Sequence, residues 1–117
     1  MHLTITTEAG TRTVAMSGRF DAHGVGEFDR EVVAPIDGDH PHVAVDLSDV
    51  EFMDSSALAA LVRTLKATVA CSGTMTVVGV SDAVRIILEL TRLDAVFAVS
   101  GAVAAQRGGR ATTAAGR

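Results

Sequence analysis

Apolar and polar residues alternate at the start of the chain. Leu3 and Ile5 alternate with threonines in LTIT, and Val14, Met16 and later Phe20 alternate with polar neighbours in TRTVAMSGRF. The intervening EAG contains Gly10 and reads as a turn, so this region predicts two paired strands. The period then lengthens. In DAHGVGEFDREVVAPI, Val25, Phe28, Val32 and Val33 recur at intervals of three and four. This spacing predicts a helix that ends near Pro35 and is weakened at its start by Gly24 and Gly26.

Beyond the polar loop DGDHPH, the run VAVDLSDV puts Val43, Val45 and Leu47 on one face and Ala44 and Asp46 on the other, as in a strand. Leu58, Leu61, Val62, Leu65 and Val69 follow at a helical period, with Arg63, Thr64 and Lys66 outside the stripe and Gly73 as a stop. TMTVVGV predicts a further strand, SDAVRIILELTRL a helix opened by Ser81 or Asp82, and AVFAV a last short strand. Strands separated by helices of this length pair in parallel through right-handed crossovers. The expected fold is therefore α/β: one domain with a mixed four- to five-stranded sheet, an initial β-hairpin and alternating helices. In such sheets the loops leaving the carboxyl ends of strands carry the sites, and two qualify, GRFDAHG and VEFMDSSA.

Composition narrows the classes of function. The chain has 117 residues, 48% of them apolar and 21% charged, enough for a core in a single domain. No stretch approaches the roughly 18 uncharged apolar residues of a membrane span, and the amino-terminal MHLTITTEAGTR does not read as a signal peptide, so we expect a cytoplasmic protein without membrane insertion. Residues 1–106 hold all 14 acids and seven of the 10 bases, a net −7. With four Phe, no Tyr and no Trp besides, direct nucleic-acid binding is not expected. Arg107, Arg110 and Arg117 fall in QRGGRATTAAGR, which offers nothing to bury. The domain is expected over 1–106, with a disordered tail over 107–117. Cys71 stands alone and reads as a buried helix spacer without a role.

Asp54, Ser55 and Ser56 stand at the start of the best-defined helix, where free backbone N–H groups and the positive end of the dipole need a partner. Taken as an arbitrary tripeptide, they are explained by a cap from Asp54 or Ser55 worth about 1 kcal/mol. The longer segment VDLSDVEFMDSSALAALVRTLK, however, resembles the signature of the STAS family, whose small members are bacterial anti-sigma factor antagonists. MSGRFDAHG and GVSDAVRIILELTRLDAVFAV extend the resemblance over about residues 3 to 99. It implies a protein-binding switch, with Ser55 phosphorylated by an anti-sigma factor that is a GHKL-type serine kinase. The unmodified form would capture that kinase and release a sigma factor, and a serine phosphatase would reset the modified form. The resemblance places Asp21, Asp54, Ser55 and Ser56 on the partner surface, although Asp21 also reads as a cap on the first helix. Two positions depart from the family pattern. Ala57 replaces the usual Gly; its methyl favours the helix by roughly 0.5–1 kcal/mol and is expected to crowd a kinase loop approaching Ser55. Arg19 stands where an acid is common.

Rival functions leave weaker traces. A hydrolase using Ser55 or Ser56 would need an oriented base; His23 is the only histidine in either loop, and no Gly-x-Ser-x-Gly elbow is present. His40 and His42 beside Asp37 and Asp39 read as a polar turn rather than a metal site, because no ligand set continues elsewhere. A sensor binding a nucleotide or another small ligand at the helix start would be possible chemically, but no Gly-rich phosphate loop with a Lys supports it. The expectation is a binding protein, not an enzyme, with no catalytic residues, no cofactor and no metal.

Overall fold

The computed structural model describes residues 1–99. The chain forms β1 (His2–Glu8), β2 (Thr11–Phe20), α1 (Ala22–Phe28) continuing into a π-helical turn (Asp29–Val33), β3 (His42–Met53), α2 (Ser55–Ala70), β4 (Met75–Val80), α3 (Asp82–Leu90) and α4 (Leu93–Val99). The sheet has four strands in the order β1-β2-β3-β4. β1 and β2 are antiparallel, and β2–β3 and β3–β4 are parallel, so the sheet is mixed as expected. The hairpin turns on two residues, Ala9 and Gly10, at φ 53° and 83°. Positive φ at both positions gives a turn whose twist matches that of the strands, and glycine adopts it without strain.

Cross-strand rows explain why the helices lie where they do. Ile5, Val14, Val45 and Val77 face each other across the sheet and join one core with Phe28, Val32, Leu61, Leu65, Val84, Leu88 and Phe97 from the helices. Thr4, Thr6, Ala15 and Val78 point the other way and stay exposed. The period-2 pattern of the sequence is this difference between a covered and an open face.

Two helices depart from the sequence pattern. α2 buries Ala57, Ala60, Leu61, Thr64, Leu65 and Thr68, while Val69 is 59% exposed. The stripe is thus rotated from the one expected, with Thr64 inside it and Val69 outside. The threonine hydroxyls donate to the Ala60 and Leu65 carbonyls, both at 2.8 Å, so burying them leaves no polar group unpaired. The second departure is at AVFAV, which is not a strand but most of α4. Arg92, at φ 63°, turns the chain out of α3. Leu93 and Phe97 then lie four residues apart, a helical spacing that turns both toward the core. The expected 107–117 tail lies outside the described residues.

Gly73 also does more than stop α2. Ser72 takes the left-handed position at φ 60°, while the Ser72 and Gly73 amides donate to the Val69 and Thr68 carbonyls at 3.0 and 2.7 Å. This is a Schellman ending with serine where glycine is usual. Glycine stands one residue later because a Cβ on residue 73 would fall on the Pro41 carbonyl.

The far end of α1 is held by Arg12. Pro35 has no N–H to give to the Glu31 carbonyl, and Ile36 N donates to Val33 instead of Val32. Arg12, only 7% exposed, fills both gaps, donating to the Glu31 and Val32 carbonyls at 3.1 and 2.7 Å. Burial lowers its pKa, opposed by the charge of Asp37.

Arg12→Met should cost about 2–3 kcal/mol in urea denaturation, because two carbonyls lose a charged donor. Gly73→Ala should destabilise by more than about 1 kcal/mol. Gly26→Ala, where a Cβ meets nothing within 4 Å, should stabilise by about 0.5–1 kcal/mol.

Candidate functional site

β2 and β3 end side by side, with Phe20 opposite Met53, so the loops that follow them are neighbours. Asp54 ties them together. It caps α2, its Oδ1 accepting from Ala57 N at 3.0 Å, and its Oδ2 accepts from Ala22 N, the first residue of α1, at 3.1 Å. Asp21 caps α1 by accepting from His23 N at 3.1 Å. Both aspartates are therefore helix caps, and Asp54 also joins the two helix starts.

Ser55 occupies the first position of α2 and is exposed. Among the described residues its hydroxyl makes no hydrogen bond. Ser56 is half-buried beside it. The structure thus brings Asp21, Asp54, Ser55 and Ser56 to one end of the sheet. Ala57 is 0% exposed, its methyl packed in the core. The methyl expected to crowd an approaching kinase loop is therefore not on the surface that Ser55 shares.

Phe52 carries no signal of its own in the sequence, and its contact with Arg19 emerges only in the fold. Phe52 is 37% exposed, and the Arg19 guanidinium lies 4.2 Å from its ring centroid. Arg19 Nε is 3.7 Å from Asp21 Oδ2. The sequence signal for this pair was parity: Met53 and Phe20 point inward, so Phe52 and Arg19, next to them, point outward.

The other candidates form no second site. The His23 side chain is 98% exposed and its ring lies 3.7 Å from Asp21. His40 sits 3.2 Å from Asp37 within its own turn, and His42 3.0 Å from Thr74 Oγ1. Hydrogen bonds from the backbone and ring of His40 hold the Asp37 carboxyl below its ordinary pKa. A shallow depression of about 590 Å³ is lined by Ser17, Ser48, Asp49, Glu51, Ser81 and Ala83 among others. Ser81 caps α3 there and donates to the Val50 carbonyl at 2.6 Å. Among the described residues no helix is long and apolar enough to cross a membrane.

No curated protein matches the chain. Among solved structures it is similar to an anti-sigma factor antagonist from Mycobacterium paratuberculosis, at 27% identity and a TM-score of 0.71 over 81% of this chain and 80% of that one. It is also similar to the anti-sigma factor antagonist SpoIIAA in its unphosphorylated form, at 18% identity and a TM-score of 0.66 over 86% of this chain and 99% of that one. The model of the STAS domain matches residues 2–105. With that match covering most of its length, the chain belongs to the STAS domain family.

Proposed function

We propose that the protein is an anti-sigma factor antagonist working as a phosphorylation-controlled binding switch in the cytoplasm. Unmodified, it captures an anti-sigma factor that is also a GHKL-type serine kinase, and a sigma factor is released. Phosphate on Ser55 ends that capture, and a serine phosphatase restores it. The protein itself catalyses no step.

The observation that carries this reading is the exposed Ser55 hydroxyl at the start of α2, beside two loops that Asp54 joins into one surface. A kinase needs a reachable hydroxyl, and a binding partner needs a surface with fixed shape. Similarity to solved anti-sigma factor antagonists supports the same reading. A nucleotide sensor is less well supported, because the Asp54 and Asp21 carboxylates stand at the helix starts and carboxylates repel phosphate.

A pull-down with the unmodified protein should yield the anti-sigma kinase. Calorimetry with the purified kinase should show binding lost for the Ser55-phosphorylated form, and equal affinity for both forms would refute the switch. Phosphate there should leave folding stability within about 1 kcal/mol, since the helix dipole favours it while Asp54 opposes it.

Asp54 tests how far the joined loops matter. Asp54→Ala frees both Ala22 N and Ala57 N and should cost about 1–2 kcal/mol, as for a lost helix cap. Affinity for the kinase should fall with it. Asp54→Asn keeps one carbonyl acceptor and should lie between the two in denaturant titrations.

A further inference from the structure

We propose that Arg19, seated on Phe52, selects the partner by meeting a carboxylate on it. This rests on the function proposed above, which supplies a protein partner for this surface. Arg19 and Phe52 are opposite one another on β2 and β3, at the strand ends that lead into the two joined loops. The Arg19 side chain is 63% exposed, and its Nε pairs with Asp21 Oδ2 at 3.7 Å, an ion pair longer than a direct hydrogen bond. The guanidinium carbon lies 4.2 Å from the Phe52 ring centroid, a cation–π contact that holds at the surface a donor fork suited to a planar, two-oxygen acceptor.

Charge around it gives the pairing its meaning. Arg19 is the only Arg or Lys in segments 19–24 and 52–57, and residues 1–99 carry 14 acids against seven bases. Arg12 donates to backbone carbonyls, Arg63 pairs with Asp29 and Arg85 with Asp82 and Glu89, as Arg19 does with Asp21; the remaining bases, Arg30, Lys66 and Arg92, lie outside these two segments. A partner covering this surface strips water from the Arg19 guanidinium, and the long Asp21 contact leaves that costly unless an anion of the partner comes closer. A protein with an acid there is accepted, whereas one with a base or an apolar side chain is rejected. Phe52 is a positioning residue: it acts by holding the guanidinium.

The test uses the anti-sigma kinase captured by the wild-type protein, purified and titrated calorimetrically. Arg19→Gln should weaken binding at least ten-fold and Arg19→Glu more, with melting temperatures unchanged. Phe52→Leu should weaken binding in the wild type but add nothing on top of Arg19→Gln. Replacing the facing partner acid with Arg should restore binding to Arg19→Glu. If Arg19→Gln binds within two-fold of wild type while phosphate on Ser55 still abolishes binding, the switch stands and the role of Arg19 is wrong. Equal losses from Phe52→Leu with and without Arg19 would mean the ring itself carries the contact, which also overturns the proposal. So would unchanged binding of Arg19→Gln together with a raised phosphoserine pKa by phosphorus NMR, which would place the anion on this chain. A wild-type protein that captures no anti-sigma factor would fail the proposed function, and this inference with it.

Discussion

Asp54 accepts from Ala57 N at 3.0 Å and from Ala22 N at 3.1 Å, so one carboxylate completes the starts of two helices. An isolated cap would settle only where α2 begins. The second bond also fixes how far α2 stands from α1, and therefore how the two loops lie against each other. A side chain of the same length with one acceptor could serve either helix but not both equally. The carboxylate is suited to the position because its two oxygens point to different amides and each amide belongs to a different segment of the chain.

That bond matters more because α1 has little stability of its own. It is seven residues long and contains Gly24 and Gly26, so propensity alone would not keep it helical. It is held from both ends. Asp21 and Asp54 take its first amides, and Arg12, reaching from β2, takes the Glu31 and Val32 carbonyls of the π-helical turn that continues it. Gly24 has a packing reason as well, since a Cβ there would meet Met1 Sδ at 2.9 Å. The Arg63–Asp29 pair at 2.9 Å adds a tie from α2, but it is half-exposed and contributes little beside the buried Arg12 bonds. The position of α1 is thus set by bonds from the sheet and from α2 more than by its own sequence.

The strands were legible because one face of the sheet is covered and the other is open, so burial alternates residue by residue in Leu3–Ile5 and Val14–Met16, although in β3 the small Ala44 is buried between Val43 and Val45. α2 was legible as a helix but not in its orientation. Thr64 and Thr68 read as polar, yet their hydroxyls bond back into their own helix, a satisfaction that hydropathy does not register. AVFAV was misread because five residues can satisfy a strand and a helix pattern alike, and the pair that decides, Leu93 with Phe97, spans the segment's edge. At the site, the caps followed from Asp-Ser-Ser before a helix, whereas the reach of Asp54 to Ala22 links residues 32 apart, a distance no local pattern encodes. Arg19 on Phe52 was hidden for the same reason: it depends on the register of two strands.

On the proposed function, this architecture favours a switch that acts where the partner docks and leaves the fold alone. A phosphate on Ser55 adds about 1.5–2 negative charges at the start of α2. The helix dipole and its unused amides stabilise that charge by roughly 0.3–1 kcal/mol, and the adjacent Asp54 opposes it by a similar amount. Because Asp54 already bonds two amides, displacing it would leave Ala22 N without its acceptor, a cost that exceeds the small balance left to drive a rearrangement. The phosphate therefore has no cheap route to reshape the two loops. Under a partner its position is different, since burying an unpaired multiply charged group costs several kcal/mol, more than the residual effect on the free protein. Dissociation follows from desolvation at the interface, and the Asp54 bridge is what keeps the same surface intact in both states.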